Sequence, residues 1–149
     1  MTLLPPPHLV YSQEDLAAML RVLNTQAAVA VDTESNSMHA YRERVCLIQF
    51  SVPDHDYIVD PIVLPDLAAL QPLFADAEIE KVFHAADYDL ICLWRDFGYQ
   101  VNGLFDTMMA ARALGWEKVG LAAILSEQFS VSVSKRFQRA DWGKRPLSV

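Results

Sequence analysis

Two acids one residue apart, Asp32 and Glu34, close the run AAVAVDTE at residues 27–34. Side chains on a strand alternate with period 2, so both carboxylates share a face. At the end of an apolar run they are desolvated and repel each other, a cost that a shared proton or a hard divalent cation offsets. Mg²⁺ suits the task, since it takes one or two carboxylates and fills its octahedron with water and phosphate oxygens. The plain alternative is that Asp32 caps a turn while Glu34 is solvated. A second group, FHAADYDL at 83–90, reads as a strand-to-helix junction. Ligands of open sheets sit outside the carboxyl ends of parallel strands. If the strand at 81–85 lies parallel to that at 27–32, Asp89 in the first helical turn comes near Asp32 and Glu34. Asp87 reads as an N-cap, and Asp89 beside the helix dipole would be stabilising without any function. His84 is either a phosphate contact or a structural residue. Asp106, in FDT at 105–107, sits where an N-cap is expected.

The elements that must position these acids follow from periodicity. Ser12 opens a helix over about 13–24, with Leu16, Met19, Leu20 and Leu23 on one face. The run at 27–34 predicts a strand buried on both faces. VCLIQFSV (45–52) and YIVD (57–60) predict two more strands around the turn at 53–56, a succession that is usually antiparallel. Next come a helix after Pro65 kinked at Pro72, a strand at 81–85, and a helix from Asp87 that stops at Gly98. An extended segment (101–107) precedes helices at 108–115 and 119–129, and residues 130–149 show no period. The expected fold is a single α/β domain. An antiparallel three-strand meander is extended by parallel strands, with helices on both faces.

Composition narrows the function. The chain has 149 residues, 52% of them apolar, and a formal net charge of −7. That is enough for one packed core. No apolar run approaches a membrane span, and the N-terminus lacks a secretory pattern, so a cytoplasmic, reducing setting is expected. Cys46 and Cys92 lie on apolar positions and read as buried thiols. There is no C-x-x-C, G-x-S-x-G or glycine-rich phosphate loop, which argues against common zinc, α/β-hydrolase and dinucleotide sites. Charge is split along the chain. KRFQRADWGKR at 135–145 holds five basic residues and one acid, leaving seven basic against eighteen acidic before it, a net of −11. Such a division fits cation binding in the body and polyanion binding at the tail.

Taken together, VDTE (31–34), LIQF (47–50), VFHA (82–85) with Asp89-Leu90, FDT (105–107), and Asp141-Trp142 with Arg145-Pro146-Leu147 resemble the DEDD superfamily of 3′–5′ exonucleases, ribonuclease D in particular. The resemblance implies an RNase H-like fold and an exonuclease that removes nucleotides from RNA 3′ ends with two divalent ions, Mg²⁺ or Mn²⁺. It implies that Asp32, Glu34 and Asp89 are catalytic residues and metal ligands. It further implies that Thr33 and His84 border the terminal nucleotide, and that Arg139, Lys144 and Arg145 touch single-stranded RNA, transfer-RNA precursors being one candidate. The family's third motif, a Tyr followed four residues later by an Asp, would lie beyond Leu147, and no Tyr follows Tyr99. The expectation is therefore a domain cut short before that motif, weak or inactive alone, with apolar sheet surface exposed. Two further readings are a catalytically dead module that grips RNA or a protein, and a phosphoacceptor signalling domain. The strand meander at 45–60 argues against the last.

Overall fold

The computed structural model describes residues 5–134 and 136–147. Its elements in chain order are β1 (His8–Val10), α1 (Gln13–Leu23), β2 (Ala28–Ser35), β3 (Val45–Val52), β4 (His55–Val59), α2 (Gln71–Ala75), β5 (Glu80–Phe83), α3 (Asp87–Phe97), β6 (Leu104–Asp106), α4 (Thr107–Ala113) and α5 (Leu121–Phe129). One six-stranded sheet runs β1-β4-β3-β2-β5-β6. β2, β3 and β4 form the antiparallel meander; β5 and β6 extend it in parallel beyond β2, and β1 lies parallel to β4 at the other edge.

Local chemistry accounts for the elements. Ser12 caps α1 by accepting from the Asp15 amide at 3.1 Å. α3 ends where Gly98 takes a left-handed φ of 71°, a conformation open to glycine at little cost. Leu16, Met19 and Leu23 of α1, and Cys92 and Leu93 of α3, join Val29, Val31, Ile48, Phe50 and Phe83 of the sheet in one buried core. Phe74 stacks on Tyr99 with ring centroids 5.1 Å apart, and the Tyr99 hydroxyl donates to the Leu67 carbonyl. Cys46 and Cys92 are free, buried thiols.

Four expectations are corrected. β2 is buried on one face only: Val29 and Val31 point into the core, while Ala28, Ala30 and Asp32 face an open side. A both-sides-buried run cannot be told from an alanine-rich half-exposed one by hydropathy, because alanine fits either. β1 went unseen, being three residues behind a proline run. The helix after Pro65 is two pieces, a 3₁₀ turn at Ala68–Leu70 and α2, and Pro72 sits in the first turn of α2, where its missing N–H costs nothing. Asp87 is not a cap: Ala86 holds that position and donates its amide to Asp106 instead. Among the described residues no helix is long and apolar enough to cross a membrane.

Phe74 is fully buried between Phe50 of β3 and Tyr99, its ring centroid 5.9 Å and 5.1 Å from theirs. Phe74→Ala should therefore lower unfolding stability by about 3–5 kcal/mol in urea titration; a loss under about 1 kcal/mol would place the core elsewhere.

Candidate active site

The parallel register Ala28↔Glu80, Val29↔Lys81, Ala30↔Val82 ends β5 at Phe83, four residues before β2 ends, and leaves the Asp32–Ser35 end of β2 projecting past it. Only three residues separate β5 from α3, so the first turn of α3 arrives at the end of β2. The junction is held by Asp106. Its carboxylate accepts from the amides of Ala85 (3.1 Å) and Ala86 (2.8 Å) ahead of α3, and from Met108 (2.8 Å) and Met109 (3.2 Å) in α4. Burial pushes this carboxyl up, but the four amides outweigh it and hold it below the usual range. Ala85 there has φ 60°, a strained value for a residue with a Cβ.

Asp89, 8% exposed, accepts from the Thr33 amide at 3.2 Å and from the Thr33 hydroxyl. Thr33 thus ties α3 to β2, while its neighbours Asp32 and Glu34 turn to the open face with Ala30. Asp32 touches solvent, yet protein surrounds its carboxyl on most sides. That burial, then the charge of Asp89, pushes it up to about 6. Glu34 is pushed up to about 7 by burial, then by Asp32 and Asp89. Asp89 is also raised by burial, against the pull of its Thr33 hydrogen bonds. Three like charges within reach of one another, with no cation among their partners, leave an electrostatic deficit.

Hard oxygens are the right donors for Mg²⁺ or Mn²⁺. Among the described residues no group of three or more His, Cys, Asp or Glu closes around one ion position. The chain offers a carboxylate pair on one strand face and a third acid beside it, which fits an ion that takes one or two carboxylates and completes its shell with water and phosphate oxygen.

Asp32 opens onto a groove of about 300 Å³ lined also by Ala30, Gln49, Val82, His84 and Leu121 among others. His84 follows β5, and its Nδ1 lies 2.9 Å from the Thr107 hydroxyl. Gln49, opposite Asp32 across the β2–β3 ladder, and Thr107 were missed from sequence. Gln49 and Ser51 are the two polar residues of an otherwise apolar strand, on alternate positions, which is the signal that could have found them.

A family model described as 3′–5′ exonuclease matches residues 7–149. The chain belongs to the 3′–5′ exonuclease family. Exosome complex exonuclease RRP6 of Saccharomyces cerevisiae is 41% identical to this exonuclease chain over 143 residues, 95% of the chain and 20% of RRP6. Exosome complex component 10 homolog of Caenorhabditis elegans is 39% identical over 143 residues, 95% of the chain and 16% of that protein. The solved catalytic core of RRP6 from Trypanosoma brucei superposes with a TM-score of 0.90 at 35% identity, covering 96% of the chain and 40% of the solved one. Escherichia coli RNase D superposes with a TM-score of 0.88 at 28% identity, covering 97% and 39%. The exonuclease chain thus spans about a fifth or less of these curated relatives, and its fold is that of the DEDD exonuclease core.

The basic tail divides into two kinds of residue. Arg145 donates Nε to Asp60 at 2.6 Å, Nη1 to the Trp142 and Lys144 carbonyls, and Nη2 to the Cys46 carbonyl. Asp60 is 1% exposed and also accepts from the amides of Ile62 and Val63. The guanidinium expected to touch RNA is therefore occupied in anchoring the tail to β3. Arg139 and Lys144 are exposed. The Arg139 carbonyl meets His39 Nε2 at 3.1 Å, which docks the tail on the loop after β2, but no contact joins either basic side chain to the acids.

Two outcomes follow from these geometries. Folding raises Asp32 and Glu34 above their unfolded values, so their contribution to stability is full below about pH 4 and lost as pH rises through 6 to 7. Asp32→Asn or Glu34→Gln should therefore raise the Tm of metal-free protein at pH 8 by roughly 2–4 °C, allowing for solvent screening, with no gain near pH 4. An unchanged or lower Tm at pH 8 would contradict the deficit. Arg145→Ala should cost about 2–4 kcal/mol in urea, because it leaves Asp60 buried and unpaired, whereas Lys144→Ala should stay within about 0.5 kcal/mol. Equal effects would deny the anchoring role.

Proposed function

We propose that this chain carries the catalytic site of a divalent-metal-dependent 3′–5′ exoribonuclease that trims RNA from its 3′ end. The observation that carries this reading is the Asp32–Glu34 carboxylate pair, raised in pKa, on the open face of β2 near Asp89, with Asp32 lining a nucleoside-sized groove. The comparisons support it: RNase D of Escherichia coli is described as an exoribonuclease involved in structured RNA processing.

Asp32 and Glu34 would hold the two ions, Mg²⁺ or Mn²⁺, with Asp89 as the third acid. Bound there, the ions supply a water of lowered pKa and neutralise charge on the phosphodiester. The chain's own part is positional. Thr33 fixes Asp89 through two hydrogen bonds, and by the likeness to ribonuclease D the backbone at Thr33 and Glu34 would border the terminal nucleotide. His84 lines the same groove as Asp32. Arg139 and Lys144, exposed on the tail, would meet strand phosphates. Transfer-RNA precursors are the first substrates to try, by the likeness to ribonuclease D, in a cytoplasmic setting. The tyrosine and fourth acid that the likeness implies are not among residues 1–149, so turnover by these residues alone is expected to be slow or absent.

The test is binding and degradation of a 5′-labelled single-stranded RNA by the purified chain in Mn²⁺, with EDTA and Asp32→Asn controls. Metal-dependent RNA binding that Asp32→Asn abolishes, with any ladder shrinking from the 3′ end, is the expected result. Binding indifferent to metal and to Asp32→Asn would leave only an RNA- or protein-gripping module, and shortening from the 5′ end would overturn the polarity.

A further inference from the structure

His84 carries the one buried side-chain nitrogen or oxygen among the described residues without a hydrogen-bond partner, its Nε2. The other ring nitrogen is engaged. Nδ1 lies 2.9 Å from the Thr107 hydroxyl, and that hydroxyl lies 3.0 Å from the Phe83 carbonyl. A carbonyl oxygen only accepts, and a threonine hydroxyl has a single proton, so satisfying both contacts requires Thr107 to donate to Phe83 and to accept from Nδ1–H. An imidazole with one ring proton is thereby held in its Nδ1–H tautomer, and Nε2 is left as a bare acceptor. A buried acceptor with nothing to accept is costly in a finished structure, and such groups mark places where a ligand completes the bonding.

The chemistry of the missing donor can be narrowed. The His84 ring helps line the groove that Asp32 also lines. Its volume of about 300 Å³ is at the small end of ligand sites, room for a single nucleoside. On the exonuclease reading, on which this step rests, the scissile phosphate lies at Asp32 and Glu34. The group covalently next to that phosphate is the sugar, and its hydroxyls are donors. Phosphate oxygens, by contrast, only accept and would repel the Nε2 lone pair of the neutral ring.

We infer that His84 Nε2 accepts a hydrogen bond from a ribose hydroxyl of the 3′-terminal nucleotide, and that Thr107 sets this specificity by fixing the tautomer. The step involves no bond making or breaking. His84 acts as a reader of the sugar, which gives the site a means of preferring a ribose end over a deoxyribose end.

Fluorescence anisotropy with 5′-labelled oligonucleotides ending in a ribonucleotide, a 2′-deoxynucleotide or a 3′-deoxynucleotide tests this, in Ca²⁺ to suppress cleavage. The unaltered chain should bind the ribonucleotide end about tenfold more tightly than one of the two deoxy ends, and which one is weakened names the hydroxyl. In His84→Phe the ratio should fall below about twofold while affinity for the weakened deoxy end is retained, which also shows that the variant is folded. Thr107→Val should shrink the ratio in the same direction. Metal-dependent binding without any sugar preference, or a preference that survives in His84→Phe, overturns the assignment while leaving the exonuclease reading intact. Failure of all three oligonucleotides to bind in the presence of metal would overturn that reading and this inference with it.

Discussion

Parallel pairing of β2 with β5 decides where every reactive group of this chain lies. The strands start in register at Ala28 and Glu80, but β5 stops at Phe83 while β2 runs on to Ser35, so the short junction after β5 delivers α3 beside the last residues of β2. Asp106 then fixes the junction from outside, giving one carboxylate to the amides before α3 and to those opening α4. The same contacts hold Ala85 in its left-handed conformation, whose intrinsic cost is on the order of 1–3 kcal/mol. A residue that looks like a plain helix cap is thus what sets the position of Asp89 relative to Asp32.

Most of this arrangement was legible in the residues. The apolar stripes of α1 and α3, the Ser12 cap and the Gly98 stop are local signals, and local physics honoured them. The acids Asp32, Glu34 and Asp89 were legible as a group because strand parity and the strand-to-helix junction are also local rules. What could not be read depends on register or on tertiary acceptors. Gln49 meets the groove only because it faces Asp32 across the ladder. Arg145 reads as a free cation in the sequence, but its Nε donates a hydrogen bond to Asp60, eighty-five positions away. Thr107 matters because a histidine on a neighbouring strand end leans on it.

The site is also the place where the chain departs from the rules that stabilise the rest. Elsewhere among the described residues the buried polar groups are paired: Asp60 with Arg145, the Lys81 ammonium with the Asp76 and Ile79 carbonyls, and the Tyr99 hydroxyl with the Leu67 carbonyl. At the end of β2, three carboxylates crowd together, and beside them an imidazole nitrogen has no partner. Uncompensated charge and an empty acceptor are stability costs that binding can offset, one through a cation and the other through a hydroxyl donor. Function is concentrated where these two deficits share one groove.

The central claim is that the carboxylate deficit on β2 is a cation site. Calorimetric titration of Mn²⁺ into the metal-free chain at pH 8 addresses it most directly, run beside the Glu34→Gln variant. The account predicts saturable binding to the unaltered chain, with a stoichiometry of up to two, and a large loss of affinity in the variant. No heat of binding in the unaltered chain, or identical isotherms for the two proteins, would contradict it.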